Sequence, residues 1–264
     1  MEAFNHFLAD INRQLVSAST DKERVDVAGD TLKTYITRPD FVHSCIERCL
    51  MTMQNGRSRW RNPQIAEDID AGYLMRMLFW PARFKGDIHR HNRWTVTGVV
   101  SNAIDAILYD DAGEKEVKRF SGIAGDIGKV VPPCVHAAEN VGDVPAVTLA
   151  VFCRTPKSQQ FGDEVEWITE TQEGKYAAGI FDRALRAFIF MINHSPTERS
   201  LHLLDTIYIL ARPSMKLLAI KAMARIDPIR GLRRLEDAYH YLDGPDDKAQ
   251  VARAAQLLRE AIRA

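Results

Sequence analysis

The stretch that decides the fold is Gly86-Asp-Ile-His89-Arg90-His91, together with a second stretch that runs from Gly125 through Pro132-Pro-Cys-Val-His136 to Asn140. His89 and His91 are two residues apart, so on a β-strand both imidazoles project from one face while Arg90 points away. A barrel of strands has one interior face, and an imidazole from a distant strand can complete a facial site there. We therefore predict a metal ion held by His89, His91 and His136.

The residues around these stretches have the pattern of a β-sheet domain. From Tyr73 onward, short apolar runs alternate with turn residues about every eight to twelve residues, which is typical of a sandwich or barrel. The segment Asp110-Asp-Ala-Gly113 is a hairpin candidate. The predicted strands are Tyr73–Trp80, Thr95–Asn102, Ala103–Tyr109, Glu116–Phe120 and Ala146–Cys153.

The residues on both sides of the predicted barrel have helical spacing instead. We expect N-terminal helices at 1–62 packing on the barrel, a barrel with the metal site at 63–160 and a helical domain at 161–264. The boundary before the helical domain should fall between about Pro156 and Gly174, and Ser195-Pro-Thr-Glu198 predicts a capping box. The helices predicted in the last part are Ala177–Asn193, Glu198–Ala211, Ser214–Ile226, Ile229–Tyr241 and Lys248–Ala264.

The composition limits the kinds of binding partner that we expect. The chain has 264 residues with 35 Lys and Arg against 35 Asp and Glu, so its total charge favours neither nucleic acid nor an anionic membrane. No apolar stretch approaches the ~20 residues of a membrane span, and residues 1–10 do not resemble a secretory signal. The four cysteines lack paired zinc spacing, and free thiols in a reducing cytoplasm are the simplest interpretation. We expect a cytoplasmic protein.

The two histidine stretches resemble the two sequence motifs of the cupin superfamily. Gly86, the His-x-His pair and Gly98 are similar to the first motif, and the stretch from Gly125 to Asn140 is similar to the second. Within cupins, Tyr73 to Pro156 most resembles the cysteine dioxygenase group of three-histidine thiol dioxygenases, with Trp80 in the position of that family's tryptophan. The resemblance implies a mixed, mainly β fold: a double-stranded β-helix (jelly-roll) barrel flanked by helices.

The histidines have no carboxylate partner in the sequence. Cupins usually place a glutamate four or five residues after the second histidine, where this chain has Thr95 and Val96. Three neutral imidazoles leave a divalent ion with its full charge and about three open positions if it is six-coordinate. Such a site can take an anionic substrate and O2 together. We expect Fe(II), although three histidines also suit zinc.

Several residues of the thiol dioxygenase family are replaced here. The family's cysteine that cross-links to a tyrosine corresponds to Val96, and its serine–histidine–tyrosine strand reads Thr148, Ala150 and Phe152. Its substrate-carboxylate arginine aligns near Pro63. These replacements imply another thiol, another product or no activity.

Arg76 is the candidate for binding the substrate anion, because strand parity places it on the same face as Trp80. A buried guanidinium is costly unless it is paired, and a planar carboxylate is its best match. One alternative is that Arg76 pairs with an internal Asp or Glu. Another is that the substrate anion binds the group Arg57, Arg59 and Arg61. Trp80 and Phe152 are predicted to give the pocket an aromatic wall.

The sequence thus predicts a mononuclear non-heme iron(II) dioxygenase that oxidises the sulfur of a small thiol such as cysteine, with a product that need not be the sulfinate. One alternative is a three-histidine cupin dioxygenase acting on a diketone-like substrate. The other is a non-catalytic metal-binding module whose helices recognise a protein partner. Because amphipathic helices must bury an apolar face, we also expect them to contribute to a homodimer.

Overall fold

The computed structural model describes residues 2–54, 63–154, 165–169 and 180–263. The chain divides into two compact units, residues 1–181 and 182–264. The boundary predicted between Pro156 and Gly174 falls largely on residues outside the described ranges. No helix in the described part of the chain combines the length and the apolar character needed to cross a membrane.

Three helices open the first unit: α1 (Glu2–Ser17), α2 (Asp21–Tyr35) and α3 (Pro39–Gln54). A capping box starts α2, since the Thr20 hydroxyl accepts from the Glu23 N–H while the Glu23 carboxylate accepts from the Thr20 N–H. The apolar positions of α1 that recur at helical spacing are all buried: Phe4, Phe7, Ile11 and Leu15.

The strands of the first unit form two sheets, and every pairing in them is antiparallel. One sheet has the order β1-β2-β10-β5-β8 and the other β11-β4-β9-β6-β7, with β3 paired to β9. The strands are β1 (Gln64–Asp68), β2 (Tyr73–Trp80), β3 (Phe84–Lys85), β4 (His89–His91), β5 (Thr95–Ser101), β6 (Ala103–Tyr109), β7 (Glu116–Ile123), β8 (Ile127–Val130), β9 (Cys134–Asn140), β10 (Ala146–Cys153) and β11 (Val165–Trp167).

This topology is a double-stranded β-helix. From β4 to β10 the chain crosses between the two sheets at every step except the β6–β7 hairpin, which stays in one sheet. The predicted fold class, a mixed fold with a jelly-roll barrel and helices, is confirmed. The short strand β11 was not predicted. It lies within the segment 161–264 that the sequence assigns to the helical domain, yet it pairs with β4 in the barrel. Three residues are too few to show strand alternation, which explains the miss.

The sheet that contains β2, β10 and β5 is buried on both faces. All eight residues of β10 are buried, which explains why its sequence is continuously apolar rather than alternating. Helix α2 covers the outer face at β5, where Leu32 and Ile36 approach Gly98. At the other end, the Tyr73 hydroxyl donates to Asn12 Oδ1 at 2.6 Å and so links β2 to α1.

The second unit consists, in its described part, of helices joined by short links. Asp227 caps α7, accepting from the Ile229 and Arg230 N–H groups at 3.0 Å each. Asp205 forms ion pairs with Arg230 and Arg234 across the helices. The helices are α4 (Ile180–His194), α5 (Ser200–Leu210), α6 (Pro213–Ile226), α7 (Pro228–His240) and α8 (Pro245–Arg263).

The predicted capping box at Ser195 is wrong. Helix α5 begins at Ser200, and its N-cap Arg199 makes no side-chain capping bond. The preceding residues form a turn instead, in which the Ser200 hydroxyl accepts from the Thr197 N–H at 2.8 Å. The first serine of the helix thus binds a backbone donor of the turn that precedes it.

The close approach of α2 to β5 predicts that Gly98→Ala destabilises the first unit. A Cβ at Gly98 would lie 2.2 Å from Ile36 Cδ1 and 3.1 Å from Leu32 Cδ2. Overpacking of this kind costs about 1–3 kcal/mol. All four tryptophans lie within residues 1–181, so urea unfolding followed by tryptophan fluorescence reports on this unit.

The matched control is Gly98→Ala combined with Ile36→Val, which removes the clashing Cδ1 atom. The double variant should be more stable than the two separate losses of unfolding free energy predict. If the two losses of unfolding free energy simply add in the double variant, then the contact between residue 98 and Ile36 does not limit how closely α2 approaches β5.

Candidate metal site

Strands β4 and β9 bring the three predicted histidines together. His89 lies directly opposite His136 in the antiparallel register, and His91 lies opposite Cys134. The ring centroids are 4.5 Å apart for His89 and His136, 4.8 Å for His91 and His136, and 5.0 Å for His89 and His91. One ring nitrogen from each histidine lies within 4.8 Å of the other two.

Each imidazole has a partner at its Nδ1 atom. His89 Nδ1 lies 2.9 Å from the backbone oxygen of Asp87, and His91 Nδ1 lies 3.0 Å from the Thr95 hydroxyl. His136 Nδ1 lies 3.7 Å from Cys134 Sγ. Since a carbonyl oxygen only accepts, His89 donates from Nδ1 and keeps a lone pair on Nε2. Nδ1 contacts of this kind orient metal-binding histidines through their other nitrogen.

The spacing of the Nε2 atoms fits a metal ion. His89 Nε2 and His91 Nε2 are 3.1 Å apart. Two metal–imidazole bonds of ~2.1 Å at a right angle would place their nitrogens ~3.0 Å apart. The two nitrogens are therefore close to the separation needed to share one ion, with His136 as the third donor.

The same imidazoles are kept uncharged by their surroundings. Burial first, and the neighbouring His89 second, lower the pKa of His91 to about 3. Burial also lowers the pKa of His89, and it holds the pKa of His136 well below its usual range, helped by the other two histidines. Because a neutral imidazole is the form that binds a metal, the site needs no proton release from these rings at neutral pH.

The opposite wall of the barrel interior carries Arg76. Arg76 on β2 is paired with Ala150 on β10, which is paired with Thr97 on β5. Directly paired residues share a face, and Thr95, two residues from Thr97, contacts His91. Arg76 therefore lies on the interior face. Its side chain is only 2% exposed.

Trp80 and Phe152 share this interior face. Trp80 Nε1 donates to the Thr148 hydroxyl at 2.9 Å, and its ring packs 6.0 Å from that of Phe84. Phe152 is buried in an apolar cluster with Leu74, Ala150 and Leu78. Phe152 on β10 is also paired with Thr95 on β5, which places it beside the residue that contacts His91.

Carboxylates are scarce on the interior face. Among the residues of β2, β4, β5, β9 and β10 that share it, none is aspartate or glutamate. On the edge strand β1, Glu67 forms an ion pair with Arg154 at 2.6 Å. Asp87, just before β4, is buried and accepts from the Thr169 hydroxyl at 3.5 Å. A bound cation would keep most of its charge here.

Asn140, at the end of β9, contacts backbone groups of two turns. Its Nδ2 donates to the backbone oxygens of Trp80, Pro81 and Val144, and its Oδ1 accepts from the Gly142 N–H. Asn140 thus fixes the turn after β9 to the end of β2, rather than orienting a histidine ring. The group Arg57, Arg59 and Arg61 lies outside the described residues.

Sequence reasoning missed Trp167 as a residue of the site. Trp167 on β11 is paired with His89, and the two ring centroids are 5.0 Å apart. It also did not foresee that Thr95 and Cys134 would contact imidazole nitrogens. Thr95 could have been found from its position, since it stands where cupins usually carry their glutamate. Trp167 lies on β11, which was not predicted, and no sequence pattern pointed to it.

Similarity to known proteins is limited to solved structures. The sequence matches no protein-family model, and no curated protein matches it. Similar solved structures include a Klebsiella pneumoniae protein with a double-stranded β-helix domain, which has 16% identity over 41% of this chain and 84% of that chain, with a TM-score of 0.33. The dimethylsulfoniopropionate (DMSP) lyase DddQ from Ruegeria pomeroyi has 13% identity over 33% of this chain and 41% of its own, with a TM-score of 0.28.

Oxalate decarboxylase from Bacillus subtilis has 20% identity over 33% of this chain and 23% of that chain, with a TM-score of 0.29. The chain thus spans less than half of either enzyme. The strand order and register described above are what identify the fold.

The Thr95 contact predicts that Thr95→Val weakens metal binding. Valine keeps the shape and the strand preference but leaves His91 Nδ1 without its hydroxyl partner. Loss of such outer partners lowers metal affinity about 10–100-fold. Competition of the protein with a chelator for cobalt(II) measures the change. Thr95→Ser should retain the affinity, and Thr97→Val on the same strand is the matched control. Equal affinities for Thr95→Val and Thr97→Val would contradict the role of Thr95.

The lowered pKa of His91 predicts how the metal-free protein responds to pH. Between pH 6.5 and about 3 the unfolded chain protonates this residue while the folded chain does not. Stability should therefore be highest above pH 6.5 and fall as the pH drops through this window. At pH 5 the contribution of His91 is about 2 kcal/mol.

Urea unfolding at pH 7 and at pH 5 measures how much unfolding free energy is lost on acidification. His91→Asn should make this loss smaller by about 2 kcal/mol. An identical loss in the parent protein and in His91→Asn would show that His91 is not held neutral by the fold.

Proposed function

We propose that the protein is a mononuclear iron(II) oxidoreductase that uses dioxygen to oxidise the sulfur of a small, anionic thiol. The observation that carries this proposal is the convergence of His89, His91 and His136 on an interior face where the surrounding strands supply no carboxylate. The proposed cofactor is Fe(II), and the proposed partners are the thiol and dioxygen.

Iron(II) bound there would supply adjacent open positions for a thiolate and dioxygen, and a route for electrons from sulfur to oxygen. The role of the protein is to hold three neutral imidazoles and to contribute no anionic ligand. A substrate that brings its own negative charge then balances the ion, which favours a thiolate over a neutral ligand.

Arg76 supports an acidic substrate. Its guanidinium is buried on the interior face, and a planar fork of donors matches a carboxylate in two hydrogen bonds. We propose that Arg76 binds the carboxylate of a cysteine-like thiol whose sulfur lies at the histidines. Trp80, held by Thr148, and Phe152 are the proposed walls that fix the substrate between these two ends.

The apolar wall shapes the chemistry as well. Ala150 and Phe152 stand where the resembling family has a histidine and a tyrosine, and neither side chain can donate or accept a proton. The wall excludes water, so protons must come from the substrate or from elsewhere in the site. We therefore propose that the product need not be the sulfinate.

The same apolar wall favours a second candidate function, the cleavage of a diketone-like substrate that chelates the metal. A diketonate is a bidentate anion without a cationic amine, so it needs only the ion and an apolar pocket, both of which this interior could offer.

The test is anaerobic titration of the iron(II)-loaded protein with cysteine, cysteamine and 3-mercaptopropionate, followed by oxygen exposure and mass analysis of the products. Each thiol that serves as substrate should change the iron spectrum and consume oxygen. Arg76→Met should weaken the two carboxylate-bearing thiols by roughly 1.5–3 kcal/mol, the value of a charged hydrogen bond. Cysteamine has no carboxylate and is the matched control.

An equal loss for cysteamine would remove Arg76 from the substrate site. No spectral response to any thiol would contradict sulfur oxidation. Oxygen uptake with acetylacetone instead would then favour the diketone candidate, and its absence would favour a non-catalytic module.

A further inference from the structure

Strand β11 places an indole ring against the first histidine of the site. Val165 is paired with His91 and Trp167 with His89, so both side chains lie on the interior face. The Trp167 ring centroid is 5.0 Å from that of His89, with the planes tilted by 49°. Val165 is buried, whereas Trp167 is 41% exposed. One side of the indole therefore covers the histidine while another part faces solvent.

The strand is fixed to the segment that supports His89. The Thr169 hydroxyl accepts from the Ile88 N–H at 2.9 Å, and the N–H groups of Ile168 and Thr169 both donate to the Ile88 oxygen. The adjacent Asp87 oxygen is the Nδ1 partner of His89. The position of the indole is thus tied to the same three residues, 87–89, that orient the imidazole.

We propose that Trp167 is a specificity-determining residue, whose ring forms the wall beside His89 and selects anionic ligands that carry a flat, aromatic group next to their metal-binding atoms. This inference rests on the proposed metal site and deepens the proposed function by naming a substrate class. Aromatic thiols with a neighbouring carboxylate belong to that class.

The physical basis is the partly exposed face of a large, rigid ring. Indole contributes more contact area than any other side chain and prefers offset or edge-to-face contact with a second ring. The nearest strand neighbour on the same face, Val165, is aliphatic and adds apolar surface without a competing polar group. A short aliphatic chain would leave most of the exposed indole in water, so it would gain little from this wall.

The experiment compares two thiols in which the same number of bonds separates the sulfur from the carboxylate: 2-mercaptobenzoate, which is aromatic, and 3-mercaptopropionate, which is not. Their dissociation constants are measured on the cobalt(II)-loaded protein from the thiolate-to-metal absorption band. We expect the parent protein to prefer the aromatic probe. Trp167→Leu should reduce that preference roughly tenfold, in line with the strength of aromatic contacts. Trp167→Phe should retain most of it.

Two controls separate the ring from the strand that carries it. Glu166→Ala alters the neighbouring residue of β11, whose side chain faces away and pairs with Arg90 at 3.3 Å, and it should leave the preference unchanged. Cobalt(II) affinity itself should stay within about twofold in Trp167→Leu, since Nδ1 of His89 keeps its backbone partner. Quenching of tryptophan emission by cobalt(II) should be smaller in Trp167→Phe.

An unchanged preference in Trp167→Leu would overturn the proposal, and so would an equal loss in Glu166→Ala. If neither thiol binds the loaded protein, sulfur oxidation fails but the role of Trp167 is still decided by the oxygen pair, salicylate and 3-hydroxypropionate. A Trp167-dependent preference for salicylate would uphold the proposal. Its absence would reject it.

Discussion

The antiparallel pairing of β4 with β9 is the constraint on which the rest of the site depends. It sets His89 opposite His136, and a shift of one residue would turn His136 to the other face of the sheet. A three-residue strand cannot hold its register alone. The chain fixes it on one side through the Gly86 N–H, which donates to the Ala138 oxygen at 2.8 Å. A Cβ on Gly86 would lie 2.8 Å from that oxygen, so this close approach requires glycine.

Burial then decides the chemistry of the cluster. The apolar interior disfavours charged imidazoles, and it lowers the pKa of all three rings. The strands that surround the histidines add no carboxylate ligand to offset a bound cation. The Thr95 hydroxyl orients His91 without adding charge. On these grounds we propose that the neutral ligands, the apolar wall and the buried Arg76 together select a ligand that carries negative charge to the metal.

Much of this could be predicted from the sequence, because the strongest patterns are also the most local. The two-residue spacing of His89 and His91 fixes their common face on any strand. Strands β2, β6 and β10 have the predicted bounds because each is a mostly apolar run, interrupted by a single polar residue, that begins after a turn residue. Strand β11 could not be predicted, since three residues carry no periodicity. The contacts of Thr95 and Cys134 with ring nitrogens join residues only four and two positions apart. Whether these side chains meet depends on their rotamers, which the strand pattern does not encode.

X-ray absorption at the iron edge of the iron(II)-loaded protein tests the central claim most directly. The account predicts three imidazole nitrogens at ~2.1 Å around one ion per chain, with the rest of the shell made of water oxygens. Replacement of His136 by Ala should leave two imidazoles or abolish loading. A shell with fewer than three imidazoles in the parent protein, or with a sulfur from Cys134 in place of His136, would contradict it.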